Sequence, residues 1–185
     1  MKMILLRIIM VVILVSLMGC QQDTTLPENR KTKADMEGFV EPESADWVKY
    51  ITTVREYMYY RTQAVVNKDI NILWDKYPGL RDNIDLKQGV NKEKNEVESL
   101  NQSFDLLDAN YNIESNDRIK VKNINDNEVV VLIHGSIIYL RNDFDISGGE
   151  YLIKIFLEHK DNHWTVIKTD EYTLPEYKEW MKEKE

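Results

Sequence analysis

Residues 128–140 read EVVVLIHGSIIYL, and this run is apolar at nearly every position. Such runs are typical of strands whose two faces are both covered by other parts of the protein. Asn125-Asp126-Asn127 predicts a turn before the run, and residues 141–149 predict a loop after it. The stretch therefore indicates one long buried strand on which the rest of a sheet is built.

Three further segments predict antiparallel neighbours of this strand. Residues 111–124 include the alternating series Arg118-Ile119-Lys120-Val121-Lys122. Residues 150–159 alternate as well, and residues 163–172 follow them after Asp161-Asn162, a pair typical of two-residue hairpin turns. The sequence thus predicts a meander of four antiparallel strands.

The part of the chain before the strands shows a helical period instead. Over residues 46–67 one face of a helix recurs at spacings of three and four residues: Trp47, Ile51, Val54, Met58, Arg61 and Val65. Residues 70–76 predict a short helix that Pro78-Gly79 stops, and residues 89–108 predict a third. The third helix has a charged side that is expected to face solvent: Lys92, Glu93, Lys94, Glu96 and Glu98. Three helices followed by four strands are an α+β pattern.

Residues 65–78, VVNKDINILWDKYP, join the first two helices through a polar turn at Asn67-Lys68-Asp69. Because of this junction and of the strand ending Trp164-Thr165-Val166-Ile167, residues 46–172 resemble the nuclear-transport-factor-2-like (cystatin-like) superfamily. That superfamily includes SnoaL-like cyclases and ketosteroid isomerases. The resemblance implies three N-terminal helices packed on a curved, cone-like, four-stranded antiparallel sheet. It also implies a conical cavity, which is a ligand or active site in some members and core in others.

The N-terminus reads MKMILLRIIMVVILVSLMGC, with Lys2 and Arg7 ahead of a short aliphatic run. This is the order of a secretory signal, and the run is too short for a comfortable membrane span. Leu17-Met18-Gly19-Cys20 resembles the lipobox of bacterial lipoproteins, and Cys20 is the only cysteine of the chain. We expect a signal peptide over residues 1–19, a palmitate-type lipid on Cys20, and attachment to the extracytoplasmic face of the cell membrane. The alternative is an ordinary membrane anchor with an incidental cysteine.

Length and charge bound the remaining possibilities. The chain has 185 residues, with 24 basic against 32 acidic side chains and a net charge of −8, which suits one domain with tails. The acidic balance argues against nucleic acid as a partner, and a single cysteine excludes an internal disulfide framework.

We expect a flexible tether over residues 20–45, in which Gly38-Phe39-Val40 does not pack on the domain. The domain is expected over residues 46–173, and a charged C-terminal tail over 174–185.

Four polar residues are the best candidates for side chains that point into the implied cavity: His134, Tyr139, Tyr60 and Asp170. An isomerase would need a general-base carboxylate and an acidic donor there, and no pair among the four has a diagnostic spacing. We therefore expect no catalytic residues, no enzymatic activity and no cofactor. The tyrosines of the first helix are expected to pack rather than to form an exposed patch for a protein or glycan: Tyr50, Tyr57, Tyr59 and Tyr60.

Two patterns could be taken for metal sites. Residues 143–148, DFDISG, copy the first half of a calcium loop, but Lys154 stands where the bidentate Glu would be needed. A polar hairpin loop is the favoured interpretation. His159 and His163 flank a hairpin and have no third ligand in sequence. We expect no metal site.

These observations favour a non-enzymatic lipoprotein that binds a cell-envelope protein or a small ligand through the cavity mouth or a helix face. The alternative is a small cone-fold enzyme or ligand carrier of the isomerase or cyclase type, and a third is an accessory or immunity lipoprotein of a secretion or conjugation system. The cavity distinguishes the first two, because a carrier or enzyme needs an open pocket with convergent polar groups.

Overall fold

The computed structural model describes residues 37–103, 105–113 and 118–182. The predicted signal peptide, Cys20 and most of the predicted tether lie outside the described residues. Within the described part of the chain, no helix is both long enough and apolar enough to cross a membrane.

Helix α1, Ser44–Val66, starts two residues before the predicted position and carries the expected apolar face. After the turn at Asn67, α2 spans Asn71–Lys76, and Pro78–Asp82 forms a short 3-10 helix. Helix α3, Lys92–Ser103, is shorter at both ends than the predicted 89–108. At the other end of the domain, α4 spans Leu174–Lys182, so the predicted charged tail begins as a helix.

Within the described residues the sheet has five strands, not the predicted four. They are β1, Leu106–Asn112; β2, Ile119–Asn125; β3, Glu128–Arg141; β4, Ile146–Lys160; and β5, His163–Glu171. All pairs are antiparallel, and β3 is central. One edge of β3 pairs with β4 along its length, while β1 and β2 lie end to end along the other edge.

The extra strand comes from the end of the predicted third helix and the start of the predicted first strand. Residues 106–112, LLDANYN, have only weak alternation, and Phe104 and Leu107 fall at a helical spacing from Leu100. Pairing with β3, from Leu106↔Arg141 to Asn112↔Ser136, makes this segment a strand. Tertiary pairing thus overrides a weak local preference.

The hairpins follow local sequence more closely. Asp161 and Asn162 both have positive φ, 50° and 68°, which confirms the predicted two-residue turn between β4 and β5. The loop predicted over residues 141–149 is shorter, because β4 already begins at Ile146 and pairs it with Leu140.

The core lies between α1 and the face of the sheet that curls around it, called here the inner face. Fully buried side chains from α1 include Val54 and Val65, and they pack with Val131 and Ile133 of β3 and Ile153 of β4. The α+β class and the antiparallel sheet are confirmed. The odd-numbered residues of β3 supply its inner face, since successive side chains of a strand alternate.

The opposite, outer face of the sheet carries a smaller cluster of Leu132, Leu152 and Tyr172. Phe39 packs against this cluster, and Val40 exchanges two backbone hydrogen bonds with Val121 of β2, 2.9 and 2.8 Å long. The expectation that residues 38–40 stay off the domain is therefore wrong. The free edge of β2 explains this, because unpaired strand groups readily pair with another segment.

Candidate functional site

A cavity of about 310 Å³ opens between α3, α1 and the inner face of the sheet. Its walls carry a charged and aromatic group drawn from six elements: Arg61, Glu96, Tyr111, Tyr139, Tyr151 and Glu171. A larger groove of about 510 Å³ runs between α1 and residues 108–113, and its lining includes one arginine and one acidic side chain, Arg55 and Asp108. The smaller cavity is therefore the candidate site.

Arg61 lies at the centre of this site and is only 5% exposed. Its Nε and Nη2 atoms each lie 2.7 Å from Oε2 of Glu96, and its Nη1 atom pairs with Oε1 of Glu171. Burial alone lowers the pKa of Arg61, but Glu171 and Glu96 outweigh it and hold this pKa well above its ordinary value. The guanidinium is a permanent cation held between two carboxylates.

Two tyrosines complete the shell of Glu96. The hydroxyls of Tyr111 and Tyr139 both donate to Oε1 of Glu96. The Arg61 guanidinium lies 4.9 Å from the centre of the Tyr111 ring, and the Tyr151 ring meets Tyr111 edge-on at 5.8 Å. Burial raises the pKa of all three phenols, so they stay protonated.

A third carboxyl, that of Glu93, lies deeper on the same network. Glu93 is 1% exposed, and its Oε1 accepts hydrogen bonds from Tyr57, at 3.1 Å, and from Thr169. The Tyr57 hydroxyl in turn accepts from Arg61 Nη1 at 3.2 Å. Within the described residues, Glu93 Oε2 has no hydrogen-bond partner. Burial raises the pKa of Glu93, which favours its neutral form.

The bonding pattern limits what these groups can do chemically. Glu96 accepts from both tyrosines and from Arg61, so its lone pairs are already used. A general base needs a lone pair free to take a proton from substrate. At this site Arg61, Glu96, Tyr111 and Tyr139 are therefore paired with one another.

The structure brings only one of the four predicted pocket residues to this site. Tyr139 lines the cavity. His134 lies on the outer face of β3, with its Nε2 3.7 Å from Glu150 Oε2. Asp170 pairs with Lys154 across β4 and β5, also on the outer face, where burial raises its pKa. The prediction that these two look inward is wrong.

Tyr60 also lies outside the cavity. Its ring meets Tyr77 edge-on, with ring centres 6.3 Å apart, and Lys76 Nζ lies 5.4 Å from its centre. It packs on the side of α1 that faces α2. The neighbouring residue Arg61, one helical step of about 100° away, points to the cavity instead.

The prediction that Glu93 and Glu96 of α3 face solvent is wrong, because Glu93 is 1% exposed and the Glu96 side chain is 12% exposed. Glu93 and Glu96 stand four residues before Val97 and Leu100, respectively, and therefore share their face of the helix. Arg61 indicates a buried ion pair more clearly than the α3 carboxylates do, because it interrupts an otherwise apolar series on α1. A buried arginine needs carboxylate partners, which points to acidic residues on a facing element.

The patterns weighed as metal sites have other roles in the structure. In the 143–148 segment, Asp143 Oδ1 accepts from the Asp145 amide at 3.1 Å and Oδ2 pairs with Arg141 at 2.8 Å. His159 packs against Trp164, with ring centres 5.0 Å apart. Among the described residues, no group of three His, Cys, Asp or Glu side chains is placed to hold a metal ion.

Comparison with known proteins gives a likeness of fold. No family model matches the chain, and no curated protein matches its sequence. Aln2 from a Streptomyces species matches 71% of this chain over 93% of its own, with 8% identity and a TM-score of 0.51. A nuclear transport factor 2 (NTF2-like) superfamily protein from Salmonella enterica serovar Typhimurium matches 70% over 92% of its own chain, with 9% identity and a TM-score of 0.47.

A protein of unknown function with a cystatin-like fold, from Nostoc punctiforme, matches 71% of this chain over 93% of its own. Its identity is 11% and its TM-score 0.44. NTF2-like and cystatin-like fold proteins are thus among the structural neighbours of this domain. Likeness at such identities concerns the fold alone and assigns neither ligand nor reaction.

Proposed function

We propose that this protein is a bacterial lipoprotein, anchored through Cys20 on the extracytoplasmic face of the membrane, whose domain binds a small ligand in the cavity beneath α3. The observation that carries the proposal is the open cavity of about 310 Å³ on which Arg61, two carboxylates and three tyrosines converge. Pockets of this size that combine fixed polar groups with some apolar surface, here Leu100, Ile137 and the tyrosine rings, are typical of small-molecule sites.

Mutual pairing of the cavity groups supports binding rather than catalysis. Glu96 is saturated by three donor side chains, and Arg61 is neutralised on two sides. Groups arranged in this way hold each other in fixed rotamers, which lowers the entropy lost when a ligand is bound.

Anchoring is supported by the sequence of residues 1–20. Two cations precede the aliphatic run, and Gly19-Cys20 ends it. One acyl chain holds a protein only marginally on a membrane, whereas two or more anchor it stably. A diacylglycerol on Cys20 would therefore be sufficient without help from the protein surface.

Native mass spectrometry tests the binding function. The processed chain, residues 20–185, is isolated from its own host in a mild detergent and examined for a co-purifying small molecule. Ser99 is exposed at the cavity mouth, whereas Gln102 is exposed on α3 away from it. We expect a mass increment in the wild type and in Gln102→Trp, and its loss in Ser99→Trp. A ligand that Ser99→Trp retains contradicts the proposal, and so does a wild-type cavity that is isolated empty and takes up no added small molecule.

Membrane fractionation tests the anchor. Cys20→Ser should accumulate as an unprocessed precursor that takes up no labelled palmitate, while Ser16→Ala, four residues upstream, should be processed normally. A Cys20→Ser protein that is still cleaved and still partitions wholly into detergent would show that the anchor is not on this cysteine.

A further inference from the structure

If the cavity is the binding site proposed above, its charges decide which ligands it accepts. Arg61 is held between Glu96 and Glu171, and Lys92 Nζ lies 3.8 Å from Asp85, whose side chain is only 6% exposed. Each cation of the wall therefore already has a carboxylate partner. An anionic ligand would have to displace one of these carboxylates or lie against it, so the site disfavours anions.

The inner wall of the cavity is aromatic and rigid. Tyr111 and Tyr139 direct their hydroxyls to Glu96, so these polar ends are occupied and the rings are fixed. Tyr151, Leu100 and Ile137 extend the same wall. Arg61 and Tyr151 already pack on the Tyr111 ring, so the surface left for the C–H groups of a ring-shaped ligand comes from Tyr139 and the aliphatic side chains.

The mouth of the cavity is polar and uncharged, apart from Lys92. Gln88, Asn95 and Ser99 line it, and all three are exposed. A carboxamide has both a donor and an acceptor end, and a hydroxyl can act as either. These groups match ligand hydroxyls, which likewise donate and accept. A purely apolar ring would leave them without partners.

We propose that the cavity binds a neutral polyhydroxylated ring, the chemistry of an uncharged sugar unit, with its C–H face on the Tyr139 ring and its hydroxyls on Gln88, Asn95 and Ser99. The volume of about 310 Å³ is at the lower end for ligand pockets, which limits the bound part to a small ligand or the end of a longer glycan.

A charge series on one ring tests the ligand class. Glucose, N-acetylglucosamine and glucuronate share the pyranose ring, and only glucuronate is charged. Each is titrated into the processed chain in a detergent without a sugar headgroup, with saturation-transfer NMR and calorimetry as readouts. We expect the two neutral sugars to bind and glucuronate to give no transfer. Equal binding of glucuronate, or no binding of either neutral sugar, overturns the proposal.

Variants on α3 locate the contact. Asn95→Ala should weaken binding of the neutral sugar by about three- to tenfold, the loss expected for one or two hydrogen bonds. Gln102→Ala, an exposed amide of the same helix outside the cavity, should leave it unchanged. If Asn95→Ala and Gln102→Ala had the same affinity for the neutral sugar, the sugar would not bind in this cavity.

The two proposals fail in different ways. A non-sugar molecule found by native mass spectrometry, lost in Ser99→Trp, would retain the cavity as a binding site and overturn the sugar class. An empty cavity that takes up no added small molecule, neutral sugars included, would overturn both.

Discussion

At the scale of single residues, the buried charge of Arg61 dominates the energetics of the site. Desolvating a guanidinium and two carboxylates is unfavourable, and their mutual attraction only compensates when the geometry is good. Here Glu96 and Glu171 lie on α3 and β5, so the ion pairs join α1 to two distant parts of the chain. Removing one partner leaves the others buried and uncompensated.

Arg61→Met should therefore lower the free energy of unfolding by about 3–5 kcal/mol, because Glu96 and Glu171 lose their shared cation. Urea denaturation followed by circular dichroism measures this. The control is Arg55→Met, which replaces an exposed arginine of the same helix and should change stability by less than about 0.5 kcal/mol. If both variants lost the same free energy of unfolding, the buried ion pairs of Arg61 would not contribute to stability beyond an exposed arginine.

Glu93 introduces a pH dependence of opposite sign to that of a salt-bridged carboxylate. Burial raises its pKa above the ordinary value of about 4.5, so the folded state binds the proton more tightly than the unfolded state. The stability contributed by this group is fully present below the unfolded pKa. It is lost as the pH rises through the folded pKa.

Glu93→Gln removes this titration and keeps the shape of the side chain. The free energy of unfolding of the variant minus that of the wild type should grow with pH, starting near pH 4.5 and levelling off above the folded pKa. The slope is at most about 1.4 kcal/mol per pH unit. Urea denaturation across this pH range measures it, with the exposed Glu98→Gln as control. A difference that does not vary with pH would contradict the raised pKa.

At the scale of elements, the segment before α1 belongs to the fold. Phe39 covers Leu132 and Leu152 on the outer face, and Val40 adds a bridge to the free edge of β2. These contacts place the start of the described chain beside β2. The last part of the predicted tether is thereby tied to the domain from residue 39 onward.

Phe39→Ala should lower the free energy of unfolding by about 1–2 kcal/mol, because a half-buried ring loses its apolar contacts. Phe144 is 77% exposed, so Phe144→Ala is the matched control and should be nearly neutral. Thermal or urea unfolding compares the two. If both substitutions were neutral, the packing of Phe39 would be too weak to count as part of the fold.

At the scale of the whole molecule, the proposed attachment to the membrane depends on the lipid and gains nothing from the charge of the protein. Without residues 1–19 the chain keeps 22 basic against 32 acidic side chains, so its surface gains no attraction to an anionic leaflet. Membrane binding in this proposal depends on the acyl chains alone, and it should not respond to ionic strength.

The wild-type protein should therefore remain in the membrane fraction after a wash in about 1 M salt, where electrostatic attraction is screened to a few ångströms. Immunoblotting of the pellet and supernatant measures this, with detergent extraction as the positive control. Release by salt alone would mean that a charged surface, or a partner bound through one, holds the protein on the membrane.

Local patterns were sufficient to predict several elements of this protein. The long strand at 128–140, the two-residue turn at Asp161-Asn162 and the presence of α1 follow from sequence periodicity and turn chemistry. The antiparallel sheet followed from the same patterns, because they depend on neighbours within a few residues.

Only the tertiary structure decided which face of each element meets the cavity. Residues 129–140 are apolar on both faces, so their pattern cannot distinguish the side of Tyr139 from that of His134. The pairing of residues 106–112 with β3, and of Glu96 with Arg61, likewise joins segments far apart in sequence. The sequence pattern of a strand indicates that its side chains form two faces, whereas the packing of α1 against one face of the sheet determines which face is buried.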